Sequence, residues 1–202
     1  MITSVDQLDP DGNYTLADYL SWQFAESVEI IKGKLFKMSP APRPKHQLIA
    51  GSVHAQFYNL VRRRKCKAFM APFDVYFPTE NGKPSIVQPD VSIVCDLAKV
   101  TKRACEGAPD VTVEVLSPST SKKDLTTKFE LYSQFGVKEY WIVFPEEELV
   151  QQFVHNGQEL KLHGIYTTGL APSEAIEGLT LDIDEVFDRE LPLEEEPVLT
   201  RI

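Results

Sequence analysis

The 202-residue chain is short of the residues that build disulfide-rich or zinc-finger domains. Its three cysteines, Cys66, Cys95 and Cys105, are odd in number, far apart and free of any CxxC pairing. That usage predicts three reduced thiols and excludes a disulfide framework or a zinc knuckle. No apolar run approaches the roughly 18 residues that a membrane-spanning helix needs. Residues Met1 to Tyr14 lack the basic start and apolar stretch of a secretory leader. The expectation is a cytoplasmic protein without a membrane partner. Hydrophobic residues at 43% and charged residues at 25% are the balance of an ordinary globular chain long enough for one sizeable core.

Another absence is local. From Ile30 to Phe73 there is no Asp or Glu, while ten Lys and Arg residues lie in that stretch. From Glu174 to Pro197 the balance reverses, with ten acids against Arg189. The formal net charge of −9 speaks against a general nucleic-acid coat. The basic segment nevertheless suits a phosphate-bearing partner. Part of it has a second explanation, because Arg62, Arg63, Arg64 and Lys65 would close a helix at the negative end of its dipole.

What is present reads as alternating strands and helices. Thr15 to Asp18 opens a short helix with a capping box. Val28–Ile31 and Lys34–Met38 flank a Lys-Gly turn and predict a hairpin. Pro40, Pro42 and Pro44 make a stiff connection. Ile49, Val53, Phe57, Leu60 and Val61 recur at helical spacing over Lys45–Lys65. Three runs rich in Val, Ile and Phe predict strands at Phe69–Phe77, Ile86–Cys95 and Val111–Leu116. A second helix is expected from Lys123 to Phe135, then a strand at Tyr140–Phe144, then a hairpin through Asn156-Gly157. The order predicts a mixed α/β domain over 1–188 built on one central sheet, with N-terminal and C-terminal hairpins and an acidic tail over 189–202.

Two carboxylates interrupt these apolar runs, Asp90 in IVQPDVSIV and Glu114 in VTVEVL. A buried carboxylate without a partner is costly, so each needs a base, a metal ion or water. Strand alternation puts Glu114 on a face with Thr112 and Leu116, opposite Val111, Val113 and Val115. If the two strands are neighbours, Asp90 and Glu114 converge on an oxygen site suited to Mg²⁺ or Mn²⁺. On the second helix, Lys128 falls between Phe135 and Tyr132, within the apolar stripe of Leu125, Phe129, Tyr132 and Phe135. It either points at the two acids or lies along the surface with its amine in water. Asp110 reads as a turn residue, Trp141 as core, and Ser117 as part of a helix entry rather than a nucleophile. His46 and His54 lack a third ligand for zinc.

The run from Gln88-Pro-Asp90, through Gly-Ala-Pro-Asp110-Val-Thr-Val-Glu114-Val-Leu-Ser-Pro-Ser-Thr120 and Asp124…Lys128…Tyr132, to Gly136-Val-Lys-Glu-Tyr-Trp-Ile-Val143 resembles the Uma-two family of endonucleases. That family belongs to the PD-(D/E)XK, restriction-endonuclease-like superfamily. The likeness extends back to Glu29-Ile-Ile-Lys-Gly-Lys and Lys45-His46-Gln, and forward to about Asp188. It implies a restriction-endonuclease-like fold and metal-dependent hydrolysis of phosphodiester bonds in DNA. Asp90 and Glu114 would be the metal carboxylates, with the main-chain carbonyl of Val115 as a further ligand for Mg²⁺ (or Mn²⁺). Glu29 resembles the family's upstream acid and His46 its helix-start histidine. The superfamily pattern has lysine two residues after the Glu, where this chain has Leu116. The resemblance implies that Lys128 takes that place. Lys45, His46, Arg62 and Arg63 would meet the nucleic acid, and a homodimer would fit the fold. Leu116 and the acidic tail also allow a catalytically inactive, nucleic-acid-binding or regulatory module.

Overall fold

The computed structural model describes residues 2, 4–23, 27–38, 43–118 and 121–188. The acidic tail from residue 189 onward, Pro40, Pro42 and Thr120 lie outside the described residues. Helix α1 (Leu16–Ser21) starts at the Thr15 capping box. Strands β1 (Val28–Ile31) and β2 (Lys34–Lys37) form the expected hairpin. Lys32 and Gly33 both take positive φ in its turn, the geometry that a two-residue hairpin requires. Helix α2 (Pro44–Val61) buries Ile49, Val53, Phe57 and Val61.

The next two apolar runs are each broken in two. Residues 67–80 form β3 (Lys67–Met70) and β4 (Asp74–Glu80), separated at the cis Ala71–Pro72 bond. Residues 83–94 form β5 (Lys83–Val87) and β6 (Val91–Val94), separated at Gln88-Pro89-Asp90. Proline donates no ladder hydrogen bond, so a strand is readily interrupted there. The breaks send the chain from one sheet to another, and the single sheet expected from sequence is two. A five-stranded sheet runs β2-β1-β5-β4-β7, closed by β7 (Ala104–Glu106), which pairs parallel to β4. A six-stranded sheet runs β11-β10-β9-β8-β6-β3. Its further members are β8 (Val111–Val115), β9 (Glu139–Phe144), β10 (Leu149–His155) and β11 (Leu160–Tyr166).

Between β8 and β9 the chain is helical over 121–134, in three parts. They are α3 (Ser121–Lys123), a π-helical turn (Asp124–Lys128) and α4 (Phe129–Gln134). The phase of the expected stripe changes at the π turn: Asp124 is buried and Leu125 is 41% exposed. A C-terminal ribbon of β12 (Leu170–Pro172) and β13 (Thr180–Asp182) leads into α5 (Ile183–Val186). These short pieces, like β7, carry too few residues for a periodic signal.

The six-stranded sheet is covered on both faces. One core holds Val53 and Phe57 of α2 with Val113, Trp141 and Val143. The other holds Leu131 and Tyr132 of α4 with Tyr140, Ile142 and Leu116, together with Val75, Phe77 and Val87 from the five-stranded sheet. Val111, Val113 and Val115 thus face α2, and Glu114 points into the opposite layer, as strand alternation requires. No described helix is long and apolar enough to cross a membrane.

The cysteine expectation is corrected. Cys66 and Cys95 are joined in a disulfide, and Cys105 is free and buried. The antiparallel register Lys67↔Val94 of β3 and β6 places the two residues opposite each other. They are 29 apart in sequence, so spacing alone gives no sign of the pairing.

Candidate active site

The site lies where the two sheets meet beneath the 121–134 helix. Glu29 comes from β1 of the first sheet and is fully buried. Asp90 ends the turn between β5 and β6. The register Val91↔Val113 places it one residue beyond the ladder, level with Glu114 on β8. Its Oδ2 accepts the Val115 main-chain N–H at 2.8 Å and lies 3.3 Å from His46 Nε2. The Asp90 side chain keeps 19% exposure, so this end of the cluster reaches water.

Lys128 stands at the centre, 3% exposed. Its Nζ donates to Glu114 Oε1 at 2.8 Å, and lies 2.9 Å from Glu29 Oε1 and 3.5 Å from Asp124 Oδ1. Of the two alternatives for Lys128, the inward one is found. Lys123 pairs with the other oxygen of Glu29. In a regular α-helix, residues five apart point about 140° away from each other. The wider π turn, with its i→i+5 bonding, brings Lys123 and Lys128 to one side, where both grip one carboxylate. Tyr132, one helical turn on, donates its hydroxyl to Glu114 Oε1 at 2.7 Å.

Charge governs the site's protonation. Glu29, Asp90, Glu114 and Asp124 face Lys123 and Lys128, a surplus of carboxylate. Burial opposes a charged Lys128, but Glu114, Glu29 and Asp124 hold its pKa well above the ordinary lysine value. Burial likewise opposes ionisation of Glu29, and its two lysines outweigh that and lower its pKa. Glu114 goes the other way. Burial first, then the charges of Asp124, Asp90 and Glu29, raise its pKa well above 4.5 against the pull of Lys128. Lys128 and Tyr132 both donate to Oε1 of Glu114, so among the described residues its Oε2 is the oxygen for an added proton or cation. For His46, burial works against protonation, while the bond and charge of Asp90 and the Val115 carbonyl raise its pKa above 6.5. Its Nδ1 is buried with no hydrogen-bond partner among the described residues.

Glu29, Asp90, Glu114, Val115, Lys128 and His46 of the expected site are therefore brought together. Lys45 is beside them on α2, ion-paired with Glu146 at 3.5 Å. Arg62 and Arg63 are not. They follow the far end of the 18-residue α2, about 24 Å along its axis from His46 at 1.5 Å per residue. Neighbouring Arg64 donates to the Glu177 carbonyl at 2.8 Å and fastens the C-terminal segment. Asp110, read as a turn residue, accepts the Cys95 N–H at 2.7 Å and pairs with Lys138. Sequence reasoning assigned no role to Lys123, Asp124, Tyr132 or Gln88. Asp124 is four residues from Lys128, an ion-pair spacing that could have revealed it. Lys123 depends on the π turn, which an ideal helical wheel does not contain.

Among the described residues no group of three or more His, Cys, Asp or Glu side chains is arranged to hold a metal ion. Mg²⁺ does not require one, since it is commonly held by one or two carboxylates with waters. The surplus of carboxylate at half-buried Asp90 and buried Glu114 is the donor chemistry that such a hard cation takes.

The sequence model of the family described as "Uma2: Putative restriction endonuclease" matches residues 16–184. Among solved structures, the chain is similar to a crystal structure titled as that of a putative nuclease belonging to DUF820 from Anabaena variabilis ATCC 29413. The two share 24% identity at a TM-score of 0.68, over 87% of this chain and 98% of that one. No curated protein matches the chain.

Proposed function

The chain belongs to the Uma2 family of restriction-endonuclease-like proteins, and from that premise we propose that it is a divalent-metal-dependent endonuclease acting on DNA. One observation carries the reading: acids from three separate elements, β1, the β5–β6 turn and β8, converge with the Lys128 amine at one partly open point. A fold needing only a packed core has no use for so much buried charge, which is costly to keep from water.

Asp90, Glu114 and the Val115 carbonyl would hold Mg²⁺ or Mn²⁺. When bound, the ion would polarise the scissile phosphate and lower the pKa of a coordinated water. Lys128, fixed by Glu29 and Asp124, keeps its proton and supplies positive charge beside Glu114, where charge on phosphorus would be stabilised. His46, with its pKa held up by Asp90, would hold that carboxylate through Nε2 at 3.3 Å and add positive charge beside it. Lys45 adds a cation at the mouth. Leu116, in the superfamily's lysine position, joins the apolar layer, and the Lys128 amine stands 2.8 Å from Glu114 in its stead.

The test is nicking of supercoiled plasmid by the purified chain with Mg²⁺ or Mn²⁺, alongside Asp90→Ala. Metal-dependent nicking by wild type that Asp90→Ala loses is the expected result. DNA binding without nicking, unchanged by metal, would replace this reading with that of an inactive nuclease-fold module.

A further inference from the structure

A second polar cluster lies behind the site, on the five-stranded sheet. Asp74, the first residue of β4, has no cation within ion-pair distance among the described residues. Its carboxylate accepts from three neutral donors. The Tyr19 hydroxyl of α1 bridges both oxygens at 3.1 and 3.0 Å, the Tyr76 hydroxyl reaches Oδ2 at 3.3 Å, and Gln88 Nε2 reaches Oδ1 at 2.7 Å. Burial and the Asp74 charge push the Tyr76 hydroxyl up to about 12, so it remains a donor at any ordinary pH.

Gln88 is the element that joins this cluster to the site. It opens the Gln88-Pro89-Asp90 turn, and its main-chain N–H donates to Glu29 Oε1 at 3.0 Å. Two residues on, Asp90 presents its carboxylate to Val115 and His46, and its carbonyl accepts the Ala71 N–H at 3.0 Å. The side chain of Gln88 is buried, and among the described residues its Oε1 has no hydrogen-bond partner. The 2.7 Å bond to Asp74, with the Tyr19 hydroxyl beside it, orients the amide. One short turn thus holds Glu29 of the five-stranded sheet and carries Asp90 against β8 of the six-stranded sheet, and Asp74 holds the turn.

We propose that Asp74 and Gln88 are positioning residues, a brace across the seam between the two sheets that sets Glu29 and Asp90 in register with Lys128 and Glu114. The catalytic half of this claim rests on the nuclease reading above. Displacement of a reacting group by about 1 Å can cost about 100-fold in rate, so a brace acts on turnover more than on substrate binding.

The experiment compares, in the full chain, Gln88→Glu, Asp74→Asn, the two combined, and Gln88→Met. Gln88→Glu sets two carboxylates against each other. The combined variant restores a donor–acceptor pair with its direction reversed. Two readouts are taken: kcat and KM for Mg²⁺-dependent nicking, and hydrogen-exchange protection of the position-88 main-chain N–H. Gln88→Glu is expected to lower kcat by about tenfold or more, with KM within about twofold, and to lower protection by a similar factor. The combined variant should return both to within about threefold of wild type. Should Gln88→Glu fail to fold, Gln88→Met, of similar length and uncharged, is expected to lower kcat and protection in the same sense. Unchanged values in the single variants, or a combined variant no better than Gln88→Glu, would overturn the brace. If wild type does not nick DNA, protection decides alone: loss and recovery at position 88 uphold the brace while the hydrolytic reading fails.

Discussion

Two buried carboxylates sit on neighbouring strands of the six-stranded sheet and are treated in opposite ways. Glu139, on β9, is fully buried and, among the described residues, meets only neutral donors. Gln152 Nε2 lies 2.5 Å from Oε1, while Ser173 Oγ and the Ala175 N–H lie 2.5 and 2.9 Å from Oε2. Gln152 is fixed in turn by the Pro172 carbonyl and the Tyr166 hydroxyl. Glu114, on β8, is held by a lysine and a tyrosine on one oxygen and crowded by three other acids. Glu139 ties the C-terminal ribbon to the sheet and finishes a structure. Glu114 leaves charge unbalanced at an opening. Burial of an acid is therefore weak evidence of a reaction site, and convergence of like charge at a point open to water is stronger.

The contrast can be broken by substitution. Lys128→Met takes the shared ammonium away from Glu29, Glu114 and Asp124. It should cost about 3–5 kcal/mol, read as a shifted denaturant midpoint, and abolish nicking. Glu114→Gln removes one charge from an overcharged cluster. Nicking should fall by about 100-fold or more, with stability within about 1 kcal/mol of wild type. Glu139→Gln should do the reverse. Loss of an acceptor facing Ser173 and Ala175 costs about 1–3 kcal/mol, with nicking within about threefold. Equal effects of Glu114→Gln and Glu139→Gln on both measurements would erase the distinction.

A subtler separation lies in pH, through Glu29 and Glu114. The folded pKa of Glu29 is lowered, so its contribution is present above 4.5, its ordinary value, and is lost as pH falls through the folded value. The folded pKa of Glu114 is raised. The native state then binds the extra proton, and stability declines as pH rises above 4.5 toward the folded value. Denaturant midpoints measured from about pH 3 to about pH 8 should show the upper decline flattened in Glu114→Gln, with the acid-side loss retained. An unchanged upper slope would show that Glu114 is ionised throughout.

The parts of the fold legible in sequence were those with strong period or punctuation. α2 shows a full apolar face, and the Lys-Gly and Asn156-Gly157 turns mark hairpins. Asp90 and Glu114 stand out because a charged residue inside an apolar run has to be explained. The division into two sheets was hidden, since Pro72 and Pro89 interrupt runs whose composition is otherwise continuous. The Cys66–Cys95 bond was hidden for a related reason: β3 and β6 are paired across a long excursion through the other sheet. Lys123, Tyr132 and Gln88 act through hydrogen bonds between elements distant in sequence, which local pattern does not encode. Glu139 begins an apolar strand, where an acid looks like an ordinary boundary residue.

The π turn at Asp124–Lys128 has a consequence for how this chain tolerates deletion. Losing one residue, Thr126 for example, would let the helix close into regular α geometry. The two lysines would then stand four residues apart, about 40° around a regular α-helix, and the segments on either side would keep their relative facing. Lys123 and Lys128 would still share a side, so Glu29 would keep both ammoniums. Regular α geometry at the present length would instead turn the two lysines about 140° apart, so the extra residue and the wide turn go together: a shortened chain could keep the clamp, and a chain of the same length forced into a regular helix could not.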